Sequence, residues 1–241
     1  MSEALRPPNL PHPPSYSKRP SLPVEIPRAY EGGVLSGLLK APLWLVGRID
    51  DNDGLFRRGC CLLCWGLLFH ALFGAAMGLF GGWETAVMSF IKAPIIALSS
   101  LGLCMPSLYV FGCVGGMPLK PSQAFALAGS LLAMIGIILL GLTPVTWLFA
   151  VSTHNLGFIV LLNTILWLFA ASFGGRFLSL FRHAPSLHHT GGLKWWLVVF
   201  LVVSMQMATT LRPLLKMPSE GWREKDKKFF VVHFIECFEE K

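Results

Sequence analysis

The sequence has few charged residues: they make up 14% of the chain, against about 25% in a typical soluble domain. The charges that are present lie in a few short stretches, and 54% of the residues are hydrophobic, with a mean hydropathy of +0.59. This composition excludes an ordinary soluble domain. It predicts an all-α fold in the form of an integral membrane helix bundle.

The sequence also lacks the short motifs that carry common catalytic chemistry. It contains no GxSxG, no HExxH and no Walker-type glycine loop, which would indicate a serine hydrolase, a zinc protease or a nucleotide-binding protein. No carboxylate falls inside any predicted span, although proton relays and ion-coupled transporters usually need one. We therefore predict a protein that is not an enzyme and has no catalytic residue, cofactor or metal site.

The cysteines and histidines do not complete a recognisable cofactor site in the sequence. Cys60, Cys61 and Cys64 form a CCxxC, but zinc needs about four ligands and there is no second CxxC. We interpret the three as small apolar residues of a helix, with S-palmitoylation as the alternative. His70 is the one histidine well inside a predicted span, and the other spans offer no facing histidine for a bis-histidine haem.

Five hydrophobic runs are long enough to cross a bilayer core of about 30 Å. They are residues 59–81, 93–115, 124–142, 155–173 and 194–211, the second being interrupted by Pro106. Arg57 and Arg58 directly precede the first run and favour a cytoplasmic N-terminus by the positive-inside rule. A basic C-terminal tail on the opposite side disagrees with that rule, so four or six spans are the alternatives.

Several residues are predicted to anchor the spans at the membrane interface, where cations can snorkel and tryptophan rings prefer to lie. These predicted anchors are Arg57, Arg58, Lys194, Trp195, Trp196 and Arg212. The formal net charge of +7 is explained by such flanking basic residues and by anionic lipid headgroups. We therefore predict the lipid bilayer as a partner, and not nucleic acid.

Three further apolar segments are too short or too polar to be spans. Residues 33–49 contain Lys40, Pro42 and Arg48, which is typical of an interfacial amphipathic helix. Residues 82–92 are expected to form a short surface or re-entrant helix. Residues 143–154 are expected to form a half-buried cap between the third and fourth spans.

The two ends of the chain differ from the helical domain, which we predict over residues 33–211. Residues 1–32 are rich in proline and are predicted to be a disordered cytoplasmic arm without a cleavable signal peptide. Residues 212–241 are predicted to be an amphipathic tail that lies on the membrane surface or against the protein's own spans. Its apolar stripe consists of Phe230, His233, Phe234, Cys237 and Phe238.

Mildly polar side chains within the spans are the candidate intramembrane contacts, because amides and hydroxyls can hydrogen-bond between helices in lipid. They are Ser99, Ser100, Asn163, Gln206, Thr209 and Thr210. The last three share one face of a helix, which we expect to pack on the second or fourth span. Gln206→Leu should then harm assembly more than Arg212→Lys. Gly74 and Gly78 form a GxxxG, a second candidate for close helix contact.

Two stretches carry a resemblance to a known family. They are "KAPIIALSSLGLCMPSLYVFGCVGG", residues 92–116, and "MQMATTLRPLL" followed by "KKFFVVHF", residues 205–215 and 227–234. They resemble an uncharacterised family of bacterial polytopic membrane proteins whose spans are distantly similar to the Yip domain. The resemblance implies a five-span fold over residues 33–240 and brings no catalytic residues.

These features lead to two functional hypotheses. The first is a non-enzymatic, multi-pass protein of the cell inner membrane that serves as a scaffold or accessory subunit, with a second copy or a membrane complex as its partner. The alternative is a transporter or channel subunit, in which a polar path between the spans would be lined by Ser99, Ser100, Asn163 and Gln206.

Overall fold

The computed structural model describes residue 30 and residues 32–51, 54–117, 119–153, 156–184 and 191–214, with the side chains of residues 156 and 209–214 excepted. All regular structure in these residues is helical. The helices are α1 (Val34–Lys40), α2 (Pro42–Asp50), α3 (Leu55–Gly78), α4 (Trp83–Val114), α5 (Pro121–Ser152), α6 (Leu156–Ser179) and α7 (Gly191–Leu214). Short 3-10 turns follow α3 at Leu79–Gly81 and α6 at Leu180–His183.

Five of these helices, α3 to α7, are long and apolar enough to cross a membrane. They overlap the five predicted spans in the predicted order, so the all-α helix bundle and the count of five candidate spans are confirmed. Helices suit this composition because a spanning helix satisfies its backbone hydrogen bonds within itself, which lipid cannot do.

Two predicted connecting segments belong instead to the long helices. Residues 82–92 are not a separate surface helix, because α4 runs without a break from Trp83 to Val114. Residues 143–154 are not a cap, because residues 143–152 are the last turns of α5. Prolines did not interrupt either helix: Pro94 and Pro106 lie inside α4 and Pro144 inside α5. Neighbouring hydroxyls and helices can offset the hydrogen bond that each proline removes.

The predicted interfacial helix over residues 33–49 is in fact two short helices that pack on the protein. Trp44, Leu45 and Ile49 of α2 are buried in the main core, so protein rather than lipid covers their apolar side. The ring of Tyr30 lies 5.4 Å from the ring of Trp44. Tyr30, which falls within the predicted arm of residues 1–32, thus packs on α2.

The close contacts between helices fix their directions. Gly59 of α3 meets Phe125 of α5, and Gly66 meets Ala133, so α3 and α5 run parallel. Gly74 packs on Ala93 of α4 and Gly78 on Ala86, so α4 runs antiparallel to α3. In the same way, pairs of contacts show that α6 runs antiparallel to α5 and α7 antiparallel to α4.

One end of the bundle, called here the basic end, holds most of the described charged side chains. It brings together the first turns of α3, α5 and α7 and the last turns of α4 and α6. Its basic residues are Arg57, Arg58, Lys120, Arg176, Arg182 and Lys194. Helices α1 and α2 pack at this end. The other end, called here the distal end, holds the start of α4 and the end of α5.

Glycines bring α3 and α5 into backbone contact at the centre of the fold. A Cβ atom at Gly66 would lie 2.9 Å from the backbone nitrogen of Ala133, and one at Gly129 would lie 2.8 Å from the carbonyl oxygen of Gly59. Small residues allow this approach, which increases van der Waals contact between spans. The GxxxG formed by Gly74 and Gly78 instead brings α3 close to α4, because both glycines pack on the first part of α4.

Candidate functional site between the spans

His70 is a buried imidazole where α3 meets α5 and α6. Its Nδ1 lies 2.8 Å from the carbonyl oxygen of Gly66, one turn earlier in α3. Because a carbonyl oxygen only accepts, Nδ1 is assigned the proton, and Nε2 then carries a lone pair in the neutral ring. Trp167 of α6 lies with its ring centroid 6.0 Å away in an edge-on arrangement. Gly136 of α5 supplies the room, since a Cβ there would lie 3.1 Å from Nδ1.

The Nε2 atom of His70 is buried and has no hydrogen-bond partner among the described residues. A buried imidazole nitrogen of this kind can accept a hydrogen bond or ligate a metal. Within the described part of the chain, however, no three histidine, cysteine, aspartate or glutamate side chains come together. The arrangement therefore provides one acceptor in an apolar surrounding.

Most other described hydroxyls inside the spans bond to their own helix. On α5, Ser130 donates to Ala126 and Thr146 to Leu142, with oxygen to oxygen distances of 2.6 and 3.1 Å. On α6, Thr164 donates to Val160 at 2.9 Å. Such bonds to the preceding turn satisfy the hydroxyl without a neighbouring helix. These side chains therefore do not line a polar path between the spans.

Ser100 and Ser204 differ from these hydroxyls. Both are buried, Ser100 on α4 and Ser204 on α7, and neither Oγ atom has a hydrogen-bond partner among the described residues. They lie at similar heights on two antiparallel helices, judging from the contact of Gly192 with the backbone of Phe111 and an equal rise along each helix. Two helices that pack together thus each carry one buried serine at about the same level.

The other residues that were predicted to make intramembrane contacts are less buried in the protein. Ser99, Asn163 and Gln206 are half-buried, and they belong to α4, α6 and α7 respectively. Thr209 and Thr210 lie in α7, but their side chains are outside the described part of the structure. Helix α7 itself packs on α4 and α6. That the face of Gln206, Thr209 and Thr210 makes this contact stays a prediction.

The predicted interface anchors do not all face outward. Arg57, Lys194 and Trp195 are exposed, and Arg58 is half-buried. The prediction that Trp196 is an interface anchor was wrong. Trp196 is 0% exposed, and its Nε1 donates a hydrogen bond of 2.9 Å to the carbonyl oxygen of Cys104. A ring enclosed by protein cannot lie among headgroups, so Trp196 joins α7 to α4. The side chain of Arg212 lies outside the described part.

Gln123 is a structural residue that the sequence analysis missed. Its Nε2 donates to the carbonyl oxygens of Ile49 and Asp50 at 3.0 and 3.3 Å, at the end of α2. Its Oε1 accepts a hydrogen bond of 2.9 Å from the backbone nitrogen of Lys120. One buried amide thus caps two helix ends and ties α2 to α5. Pro121 followed by Gln123 is a pattern typical of a helix start, but the sequence carries no signal for the contact with α2.

Three of the cysteines lie on the outer surface near the basic end. Cys61 and Cys64 on α3 and Cys113 on α4 are exposed, and Cys60 is half-buried. Cys104 is buried inside the bundle. All three cysteines of the CCxxC thus lie in a helix, as interpreted from the sequence, and Cys61 and Cys64 face outward rather than into the core.

Comparison with protein-family models, curated proteins and solved structures gave no match to this chain. The similarity to the Yip domain therefore stays a prediction from the quoted residues. The five apolar helices and their contacts are the basis for assigning the chain to polytopic membrane proteins.

Proposed function

We propose that this protein is a non-enzymatic scaffold or accessory subunit in a bacterial inner membrane, with its N-terminus in the cytoplasm. Asn163 is the observation that carries this proposal. It lies in α6 about seven residues from the distal end, or roughly 10 Å along the helix axis, and it is half-buried. An amide partly facing lipid at that depth is costly, and contact with another transmembrane helix lowers the cost.

The way in which the core is packed supports the same proposal. Backbone contact between α3 and α5 is set by glycines, and the hydroxyls of α5 bond within α5. A close-packed core of this kind suits a fixed structural unit better than a path that must admit a solute. In the described spans, the charged side chains apart from Lys92 of α4 also lie near the ends of the helices. This distribution disfavours the alternative of an ion-coupled transporter.

The orientation is proposed from the charge distribution. The basic end holds six arginine and lysine side chains of the spans, together with α1 and α2. Arginine and lysine in short loops favour the cytoplasmic side. Helix α7 ends at the distal end, and in the proposed orientation that end of α7 faces away from the cytoplasm.

Association in lipid nanodiscs, followed by native mass spectrometry, tests the scaffold proposal. We expect the wild-type protein to be recovered with a stoichiometric partner or as a homo-oligomer. Asn163→Leu should weaken that association about tenfold, because one interhelical hydrogen bond in lipid is worth roughly 1 kcal/mol or more.

Thr164→Val is the matched control, because Thr164 is a neighbour whose hydroxyl already bonds to Val160. It should leave association unchanged. Recovery of a monomer that catalyses solute flux in liposomes would reject the scaffold in favour of a transporter. An equal loss of association in Asn163→Leu and Thr164→Val would show that Asn163 does not make the contact with the partner.

A further inference from the structure

A pair of cations lies on the outer surface where α6 meets α7 at the basic end. The first of them, Arg176, can be placed from its two neighbours on α6. A Cβ atom at Gly174 would meet Leu131 of α5, whereas one at Gly175 would lie 3.2 Å from Cδ2 of Leu197 on α7. Successive residues of a helix are turned by about 100°. One more such step places Arg176 on the side of α6 that faces away from α5, and its side chain is exposed.

The second cation, Lys194, lies on the matching side of α7. Trp196 faces α4, to which it donates its hydrogen bond, and Leu197 faces α6. The buried Leu193 and Phe200 point between these two directions, toward the inside of the bundle. Lys194 precedes Leu197 by three residues, which turns it about 60° further away from α4. It is exposed on the outer side of α7.

The two cations also lie at similar heights. Arg176 directly follows Gly175, and Lys194 lies about 4.5 Å of helix from Leu197, in both cases toward the basic end. Because Gly175 contacts Leu197, the two cations are within roughly one turn of each other along the contact. Helices α5 and α4, which pack on α6 and α7 from the inside, contact each other. Arg176 and Lys194 therefore share the outer side of the contact between α6 and α7.

Neither cation is neutralised within the described part of the protein. Arg176 and Lys194 make no ion pair with a described residue. The carboxylates among the described residues are Asp50 and Asp51 at the end of α2 and Glu84 at the distal end. Two neighbouring like charges repel each other. An anion placed between them therefore lowers the electrostatic free energy.

Apolar side chains continue the same outer side of α6 and α7 toward the middle of the membrane. On α6, Leu168 and Ile165 lie about two and three turns before Arg176, and on α7 Val198 lies about one turn after Lys194. They are 52%, 53% and 50% exposed. We call the surface formed by these five residues the outer groove. From Arg176 to Ile165 it measures about 16 Å, which is close to half of a hydrocarbon core of about 30 Å and so to one lipid leaflet.

The height of the cations matches that of a lipid phosphate. Helix α6 and its 3-10 turn form a candidate span of 27 residues, Gly157–His183, or about 40 Å of helix against a hydrocarbon core of about 30 Å. Arg176 lies about 10 Å before the end of this span. From there it can extend its guanidinium to the headgroups. Trp195, exposed next to Lys194, is a residue type that prefers this interface.

We propose that the outer groove binds one anionic phospholipid, with its phosphate between Arg176 and Lys194 and an acyl chain along Leu168, Ile165 and Val198. Guanidinium and ammonium groups bind phosphate oxygens through charge-assisted hydrogen bonds. Basic pockets between spans are a known form of anionic lipid site. A choline lipid carries a cation beside its phosphate, which these two side chains repel. The site therefore selects headgroups with net negative charge, such as phosphatidylglycerol.

Photo-cross-linking of the full-length protein in lipid vesicles tests this site. The vesicles consist of phosphatidylcholine with a trace of a diazirine-bearing probe, which is either phosphatidylglycerol or phosphatidylcholine with identical acyl chains. Mass spectrometry of the peptides measures how strongly each probe labels the outer groove. We expect phosphatidylglycerol to label it about 25-fold more, because each lysine or arginine near an anionic headgroup contributes about fivefold in binding.

Substitutions of the two cations should reduce this preference. Arg176→Gln and Lys194→Gln should each lower it about fivefold, and the double variant should abolish it. Arg176→Lys keeps the charge and should retain most of the preference. Arg57→Gln is the matched control, because Arg57 is an exposed cation at the same end of the bundle but belongs to α3. It should leave the labelling of the outer groove unchanged.

Three outcomes would overturn the proposal. Equal labelling of the outer groove by the two probes would mean that lipid covers it without recognition of the headgroup. A loss of preference in Arg57→Gln as large as in Arg176→Gln would mean a diffuse attraction to the whole basic end. If inorganic phosphate, but not chloride at the same ionic strength, reduces the labelling by phosphatidylglycerol to that by phosphatidylcholine, the two cations bind free phosphate rather than a lipid.

Discussion

Helices α4 and α5 have the same length, but α4 lies at the periphery of the bundle and α5 at its centre. Each has 32 residues, and each contains proline. In the most apolar stretch of α5, 61% of the residues are buried, against 22% in α4. Apolar composition alone therefore does not decide which span is central. Both helices are apolar enough for lipid, and lipid accepts an apolar side chain as readily as protein does.

Small residues at repeating positions make α5 central. Gly129 and Gly136 allow the backbone of α3 to approach one side of α5, while Leu131 and Ile135 pack on Gly174 of α6. On α4, by contrast, Gly102 has no described atom within 4 Å of an added Cβ. In the absence of a hydrophobic driving force between spans, helices associate where their backbones can come close. The same residue type thus has different effects on the two helices.

The largest expected effect comes from adding a side chain where α5 meets α3. Gly129→Leu should lower the free energy of unfolding by about 3 kcal/mol, because its Cβ would clash with the carbonyl oxygen of Gly59 and separate the helices. Gly102→Leu on α4 should change it by less than about 1 kcal/mol. Steric trapping in bicelles measures both variants. Similar losses in the two would show that α4 and α5 are equally packed.

The next largest loss of stability is expected from disrupting the contact that holds the peripheral α4 against α7. Trp196→Ala removes a buried ring and its hydrogen bond to Cys104, and it should cost about 2.5 kcal/mol. Trp195→Ala removes a ring that is 70% exposed and should cost less than about 1 kcal/mol. The same unfolding measurement compares them. A larger loss at Trp195 would contradict the role of Trp196 in joining α7 to α4.

A smaller effect is expected where α5 holds the short helices at the basic end. Gln123→Leu leaves the carbonyl oxygens of Ile49 and Asp50 without the amide that caps them, and it should cost about 1.5 kcal/mol. Hydrogen exchange should then rise in α2 and stay unchanged at the distal end of α5.

Gln123→Glu is the matched variant of this prediction. The carboxylate can still accept from the backbone nitrogen of Lys120, but it cannot donate to α2. Faster exchange in α2 for both variants would assign the effect to the donated bonds. Protection of α2 that survives in both variants would contradict the role of Gln123.

The smallest effect is expected at the buried serines of α4 and α7. Ser100→Ala and Ser204→Ala each remove a hydroxyl that bonds to no described group, so stability should change by no more than about 0.5 kcal/mol. Ser130→Ala on α5 removes a hydroxyl bonded to Ala126 and is the comparison. A loss above about 1 kcal/mol at either buried serine would show a polar contact across α4 and α7.

The sequence by itself determined the class of protein and the order of its spans. Runs of apolar residues without charge can cross lipid only as helices, and a helix needs nothing beyond its own residues to satisfy its backbone. The five helices therefore appear where the composition places them. Their ends were harder to predict: α4 and α5 continue through segments that contain proline or polar residues, because neighbouring helices stabilise those turns.

Only the tertiary structure decided which apolar side chains face protein and which face outward. Trp195 and Trp196 are identical neighbours in the sequence, yet one is exposed and the other lies at the contact of α7 with α4. Gln123 and Ile49 are far apart in the chain and meet only in the folded bundle. The physical reason is that lipid and protein interior are almost equally apolar. Burial within the bundle therefore depends on the shapes of helices that are distant in sequence.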